Sequence, residues 1–412
     1  MIGKTQRHLA LPCLLAFTAL AVTPVGAQDW PQWRGANRDG AITSFKAPAA
    51  WPESLKQQWK VEVGTGYATP LLVGTRLYVF SRQGEEEVMS ALDAATGKVI
   101  WRTAYAAPFT VMSAATRHGP GPKSTPAFAN GRLFSLGMTN IVTAFDAATG
   151  KQLWQKPATT AQPLYHTAWS PIVEGNSVIV HTGGPNDTTL AALDVATGNP
   201  RWTWSGDSPA YGSPIVVDLA GTRQVVAFTH RNLVGLSAAD GALLWQRPFT
   251  TPSDTTSLTP ILFRDMIIQT GRAGGITAFR AVQKDGKWTT EDVWKTTDVS
   301  LYMTNGVVGD GVLYGLSHLA MGQYFAVDLD SGKVLWRSDP RQAENAALVR
   351  AGNIIFSLED DGELLVLEAS RTAFTVLRRY PVATSATWAH PTVSGNRIYV
   401  RDVSTLALWT LD

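Results

Sequence analysis

The sequence predicts an all-β fold, an eight-bladed β-propeller of four-stranded antiparallel blades, its ring closed by an N-terminal strand. Three observations predict it. A short strand runs into a single aromatic eight times, at Trp59, Trp101, Trp154, Trp202, Trp245, Trp294, Trp336 and, in degenerate form, Tyr380, at intervals of 42 to 53 residues. A period in the forties with several short strands per unit is one propeller blade per repeat. The segment Ala-x-Asp-x-x-Thr/Ser-Gly-x-x-x-Trp recurs at 91–101, 144–154, 192–202 and 326–336. Finally, Thr410-Leu411-Asp412 aligns with Ala91-Leu92-Asp93, the end of a third strand, while Leu55-Lys56-Gln57-Gln58-Trp59 matches a fourth. Residues 55–60 are therefore expected to complete the last blade and leave no open sheet edge.

The clearest unit runs from Tyr67 to Trp101. Ala68-Thr69-Pro70 leads into a strand at 71–73, Gly74-Thr75-Arg76 turns into a second at 77–80, and a polar loop precedes a third at 88–93. Proline at the start of the first strand removes no ladder bond. Asp93-Ala94-Ala95-Thr96-Gly97 reads as a hairpin turn, because Asp accepts backbone N–H groups and Gly takes a positive φ. The copy at 235–245 has Ser237 in place of Asp, that at 278–294 carries an insertion, and that at 366–380 has lost most of the motif. The tryptophans are expected as apolar plates between neighbouring blades, each burying on the order of 200 Å², not as ligand platforms.

Lys4 and Arg7, the apolar run 9–22 and then Val25-Gly26-Ala27 read as a secretory signal cleaved before Gln28. The run is too short, and too interrupted by Pro12 and Thr18, for a membrane span. The sole cysteine, Cys13, lies inside it rather than at the cleavage point, so no lipid anchor is expected. The expected product is a single domain over 28–412, with a leader at 28–54, in the periplasm or secreted. Of the 35 Lys and Arg, two lie in the signal, and the rest balance the 33 Asp and Glu. That balance excludes an electrostatic case for nucleic acid or an anionic membrane. Without cysteine the product has no disulfide, no thiol chemistry and no Cys-x-x-Cys-His haem attachment.

Over the whole chain after residue 27, these Ala-x-Asp-x-x-Thr-Gly-x-x-x-Trp copies resemble the eight-bladed propellers built from pyrroloquinoline quinone (PQQ) repeats. The opening Asp29-Trp30-Pro31-Gln32-Trp33-Arg34-Gly35, with Asn37-Arg38-Asp39-Gly40, is similar to the leader of a broad bacterial group of PQQ-binding-like propellers. Two branches are better known. The quinoprotein dehydrogenases imply PQQ and Ca²⁺ at the channel mouth, and many of them set adjacent cysteines against the quinone. Here those cysteines are absent, and the Ca²⁺-binding acid, amide and catalytic aspartate have no residue-by-residue match. The branch of outer-membrane assembly factor BamB, a non-enzymatic scaffold, fits the length and the bare ring and implies a protein partner in the cell envelope.

Propeller loops alternate between two faces. Those leading into each first strand share a face, here the top, with those joining second and third strands. All six histidines after residue 27 fall in these loop sets by sequence, which also supply Tyr67, Lys123 and Glu344. The candidate ligand- or partner-binding residues are His118, Tyr165, His166, Trp169, Tyr211, His230, Arg272, Tyr302, His318, Trp388 and His390. Aromatic and polar groups converging at a channel mouth are the default binding site. The stretches Tyr165-His166-Thr167-Ala168-Trp169 and Thr387-Trp388-Ala389-His390 suit a ligand cage, a metal site or an acid/base group. No His pair at i, i+4 and no paired-carboxylate pattern selects one of these, so catalytic residues and metal ligands stay unassigned. The segment 105–123, with Arg117-His118-Gly119-Pro120-Gly121-Pro122-Lys123, is longer than its counterparts, and long structured loops carry function.

Three functions compete. The favoured one is a monomeric, non-catalytic scaffold that engages a protein or peptide through the top face. A quinoprotein-like oxidoreductase, with PQQ and Ca²⁺ implied by the resemblance alone, is the alternative. A propeller that binds or cleaves carbohydrate through its aromatic rim is the third.

Overall fold

A strand buried on both faces reads as a continuous apolar run, whereas one with a solvent face alternates. Both patterns recur in fixed order in each repeat and set its four strands from the channel outward. In blade 1 the inner strand Leu71–Val73 and the middle strands Arg76–Gln83 and Glu86–Asp93 are buried almost throughout, and the outer strand Val99–Ala106 is mostly exposed. The structure, a computed structural model, describes residues 28–411. The expected signal segment, 1–27, and Asp412 lie outside the described residues.

Eight four-stranded antiparallel sheets form the ring. Blades 1 to 7 span 71–106, 127–156, 172–204, 215–248, 261–296, 307–337 and 346–381. Blade 8 takes three strands from 392–410 and its outer strand from Lys56–Glu62, antiparallel to Thr405–Thr410 with Lys56 opposite Thr410 and Glu62 opposite Thr405. The expected closure of the ring is thus formed by backbone pairing. Apolar clusters bridge the blades; one joins Phe134 and Val142 of blade 2, Val178 and Leu190 of blade 3, and Val225 and Val234 of blade 4.

The repeat motif works between blades as well as within them. Asp93 Oδ1 accepts Thr96 N at 2.9 Å and Thr96 Oγ1 at 2.8 Å, and Asp146, Asp194 and Asp328 do the same in their turns. These bonds hold each carboxyl below its usual range. The tryptophan ending one blade lies on the turn glycine of the next. A Cβ on Gly150, whose φ is +76°, would come within 2.4 Å of the Trp101 ring. The indole N–H then donates to the next blade's backbone: Trp101 to Ala147 O, Trp154 to Val195 O, Trp202 to Ala238 O, Trp294 to Leu329 O and Trp336 to Ser370 O, at 2.8–3.2 Å. Trp245 departs from this pattern and donates to Gln224 Oε1 in its own blade at 2.7 Å. Blade 5 differs at this point, because its insertion prolongs the third and fourth strands into one long hairpin with Ala281 paired to Thr290.

A second belt circles the top of the inner strands. The residue before the inner-strand proline accepts a backbone N–H from the preceding blade in blades 2, 3 and 4: Thr69 N donates to Thr125 Oγ1, Thr125 N to Ser170 Oγ and Ser170 N to Ser213 Oγ, at 2.9–3.0 Å. Thr259 N donates likewise to Asn305 Oδ1 at 2.8 Å. In blade 8 this position is His390.

The leader fills the channel. Asp29 accepts Gly74 N at a bottom turn, Trp30 and Leu72 exchange both backbone bonds, and Pro31 O accepts Phe128 N. The chain reaches up to Trp33, whose Nε1 donates to Thr259 Oγ1 at 2.8 Å and whose ring meets His390 at 4.7 Å. It returns along blade 7, where Ala41–Ile42 adds a short parallel strand to Ala346–Ala351. Two buried arginines cross the remaining space. Arg38 donates to Ser170 O, Pro171 O and Pro214 O, and Arg34 to Asn305 O and Gly306 O. With Gln28 O accepting Ser394 Oγ, the hairpin touches every blade. A guanidinium with five forked donors suits this spoke role, because ring carbonyls at the inner strands' start point inward with no other donor.

Candidate functional site

The inner-strand proline sets the register of the top mouth. Three residues ahead of it stand Tyr67, Lys123, Tyr211 and Trp388 in blades 1, 2, 4 and 8, and Ala168 and Ser257 in blades 3 and 5. These positions bring aromatic rings and one ammonium around the channel axis. Tyr67 and Trp388 lie 6.4 Å apart, His118 meets Trp388 edge-on at 4.9 Å, and Tyr165 meets Tyr211 at 5.6 Å. Tyr211 Oη accepts Tyr165 N at 3.2 Å, and Lys123 Nζ donates to Tyr165 O at 2.7 Å.

The long segment after blade 1 straps across this rim. Its 3₁₀ turn Ser113–His118 carries Arg117, which lies over Trp388 at 5.9 Å and pairs through both terminal nitrogens with Glu344, at 2.8 and 2.6 Å. His118 is pushed down to about 4 by burial, with Lys123 and Arg117 beside it, so it is neutral at pH 7. Burial pushes Lys123 down to about 8, leaving it mostly charged. Tyr211 is raised to about 12, chiefly by burial, and stays a phenol.

A second group lies between blades 5 and 6. Arg272 sits over Tyr302 at 5.1 Å, and Tyr302 meets His318 at 5.9 Å. His318 Nε2 accepts Ala273 N, so Nδ1 carries the proton and donates to Ser300 O. His230 stands apart from both groups, 3.7 Å from Asp254.

Three of the expected residues lie below the surface. His166 is buried, with Nε2 accepting Met112 N and its ring edge-on to Phe109 at 4.9 Å, so it fastens the strap. Trp169 is 1 % exposed in the core shared by blades 2 to 4. His390 is 3 % exposed, packed on Trp33, with no partner for Nδ1 among the described residues; burial, with Arg34 nearby, holds it well below its usual range. His181, expected in a loop, lies inside the strand Ser177–Gly184, where burial lowers it to about 4.

The leader was not among the expected site residues, yet it forms the floor of the mouth through Trp33 and the roof of a second space. That space, about 670 Å³ at the bottom end, lies between Arg34, Asn37, Arg38 and Asp39 and the inner strands of blades 3 to 6, with Val173, Val216, Ile261 and Val308 among its walls. The guanidiniums above it are saturated by carbonyls. The sequence signal for the floor was the arginine and tryptophan content of the leader, which carries no register to say where it docks.

A Ca²⁺–quinone pair would need oxygen ligands at the mouth. Ca²⁺ takes six to eight oxygen ligands, several of them carboxylates. Here Glu344 is held by Arg117, Asp360 Oδ1 accepts Asn345 N, and the ring position offers Lys, Tyr and Trp. Among the described residues no three His, Cys, Asp or Glu side chains converge to hold a metal ion. These residues do not fit that cofactor.

A family model described as outer membrane protein assembly factor BamB matches residues 39–112, 84–338 and 320–412. The BamB of Burkholderia pseudomallei is 27% identical over 374 residues, covering 87% of this chain and 87% of that protein. The BamB of Yersinia pestis is 26% identical over 258 residues, 58% of this chain, which spans just 63% of that relative. Among solved structures, BamB from Moraxella catarrhalis superposes with a TM-score of 0.60 at 18% identity, over 86% of this chain and 99% of that one. Quinohemoprotein alcohol dehydrogenase from Comamonas testosteroni superposes with a TM-score of 0.64 at 16% identity, over 93% and 80%. Both likenesses are of fold.

Proposed function

We propose that this chain, which belongs to the family of outer membrane protein assembly factor BamB, acts as a binding scaffold whose top mouth engages a protein or peptide. The observation that carries this is the mouth itself, an aromatic and cationic rim closed below by the chain's own leader. Tyr, Trp and Arg are the side chains that dominate binding hot spots, since they combine large contact area with donors. Here four of them, Tyr67, Tyr302, Arg272 and Trp388, stand half-buried or exposed at the rim without a saturating set of internal bonds. The relatives' shared description supports an envelope setting, and the proposed export after cleavage before Gln28 agrees with it. No helix among the described residues is long and apolar enough to cross a membrane. We place the protein in the periplasm, as a monomer.

Pull-down from an envelope extract with the purified chain, beside Arg272→Ala and Trp388→Ala, tests the reading. A partner captured by the parent and lost by both variants is expected. Equal capture by all three refutes the mouth as the contact. The competing quinoprotein reading rests on fold likeness, and its test is titration with PQQ and Ca²⁺ followed by thermal shift and dye reduction. N-terminal sequencing of exported material is expected to begin at Gln28.

A further inference from the structure

We propose that the mouth receives the C-terminal end of a partner polypeptide, its terminal carboxylate at the Lys123 ammonium and its last apolar side chain against Tyr67 and Trp388. This rests on the scaffold reading above and names the chemistry of the segment that is bound.

Charge is the first support. An ammonium has three donors, and Lys123 places one on Tyr165 O at 2.7 Å. No ion pair of Lys123 forms among the described residues, and no charged neighbour offsets its burial. Glu344, across the rim, is already held by both terminal nitrogens of Arg117. Arg401, fully buried near Tyr67, adds no free charge, because it donates to Ala68 O, Phe80 O and Gly64 O and Asp402 stands beside it, so Lys123 alone supplies the anchor. A buried cation lacking a counter-charge is under-solvated, and a carboxylate restores what it lost on leaving water.

The walls are the second support. Tyr67, Trp388 and the neutral His118 make one continuous aromatic surface beside that ammonium. An apolar side chain adjoining the carboxylate therefore meets rings rather than charge. The floor is the third. Trp33, bonded to Thr259 and packed on His390, closes the channel beneath the mouth. With the channel closed beneath, no segment threads through the ring, which favours a chain end entering from the top.

The experiment is calorimetric titration of the purified chain with the heptapeptide Gly-Ser-Gly-Ser-Gly-Leu-Phe as free acid and as C-terminal amide. A third probe is an amidated peptide with an internal Glu before Leu-Phe. The free acid is expected to bind, and the amide to bind more weakly by about tenfold to a hundredfold, the worth of a charge-assisted hydrogen bond. Lys123→Met should weaken the acid by a similar factor and leave the amide unchanged, while Lys123→Arg retains part of the acid's advantage. Melting of Lys123→Met near the parent temperature, or the same result with Lys123→Gln, shows that folding is not the cause. Equal binding of acid and amide overturns the carboxylate anchor, and equal binding of the internal-Glu probe overturns the chain-end assignment. If no probe binds while pull-down still depends on Arg272 and Trp388, the scaffold reading stands and this inference falls.

Discussion

Replacing Arg38 with methionine should loosen the ring from its centre. The side chain is 3 % exposed and donates to Gln32 Oε1 at 3.0 Å, Ser170 O at 3.3 and 3.4 Å, Pro214 O at 3.0 Å and Pro171 O. Methionine keeps the apolar stem and removes the fork. Three backbone carbonyls on blades 3 and 4 then face the channel under the leader without a donor, at about 1 kcal/mol each, or about 3 kcal/mol together. The burial that lowers the guanidinium to about 9 returns part of that, since the charge no longer has to be desolvated, so the net loss is smaller if water reaches the gap. With unfolding entropy near 2.1 cal/mol/K per residue, about 3 kcal/mol lowers the melting temperature of a domain this size by about 4 °C. Scanning calorimetry on the parent, Arg38→Met and Arg38→Lys checks it, and lysine should recover little because it has charge without the fork. Limited proteolysis supplies an independent readout, with faster cleavage in 28–42 in the methionine variant. An unchanged melting temperature together with unchanged protease resistance would refute the spoke argument.

Other outcomes follow from the same geometry. Gly150→Ala should destabilise more than Gly175→Ala, by about 1–3 kcal/mol, because both take positive φ but only the first drives a Cβ into the Trp101 ring; urea melts compare them. Acidification should weaken the fold through His181, which burial holds at about 4 against about 6.5 in the unfolded chain. The fold binds fewer protons across that window, so its stability is full above about 6.5 and falls by about 3 kcal/mol by pH 4; His181→Gln should flatten that limb of the pH–stability curve. Glu359 has the opposite sign, for burial raises it to about 7 and its ionisation opposes folding as pH rises through that value. Glu359→Gln should therefore raise the melting temperature at pH 8.5 and leave it nearly unchanged at pH 5.

The division between what the residues announced and what they concealed has a physical cause. Asp93, Thr96, Gly97 and Trp101 interact within one turn or with the adjoining blade, and the repeat copies that spacing each time, so periodicity alone exposes the blades and their closure. Even the exception at Trp245 is local, since the insertion prolongs the neighbouring blade's hairpin. The mouth was legible by face but not by depth. A loop position assigns a side chain to the top of the ring, yet a turn of one residue about the strand sends it outward or inward, so Tyr211 and Trp388 reach the rim while Trp169 and His390 point into packing. The repeated Thr/Ser-Pro step before the inner strands would have resolved this, because it fixes the register from which the rim is counted. The plug had no such signal. Arg34 and Arg38 bond backbone carbonyls more than 130 residues away, and a carbonyl is the same group in every residue, so nothing in the partner segments marks them as acceptors. The leader's own acids do not mark them either, since Asp29 accepts Gly74 N and Asp39 accepts Ala41 N; a buried guanidinium bonded by no carboxylate ends on carbonyls, and in a propeller an inward-facing ring of them lies around the channel.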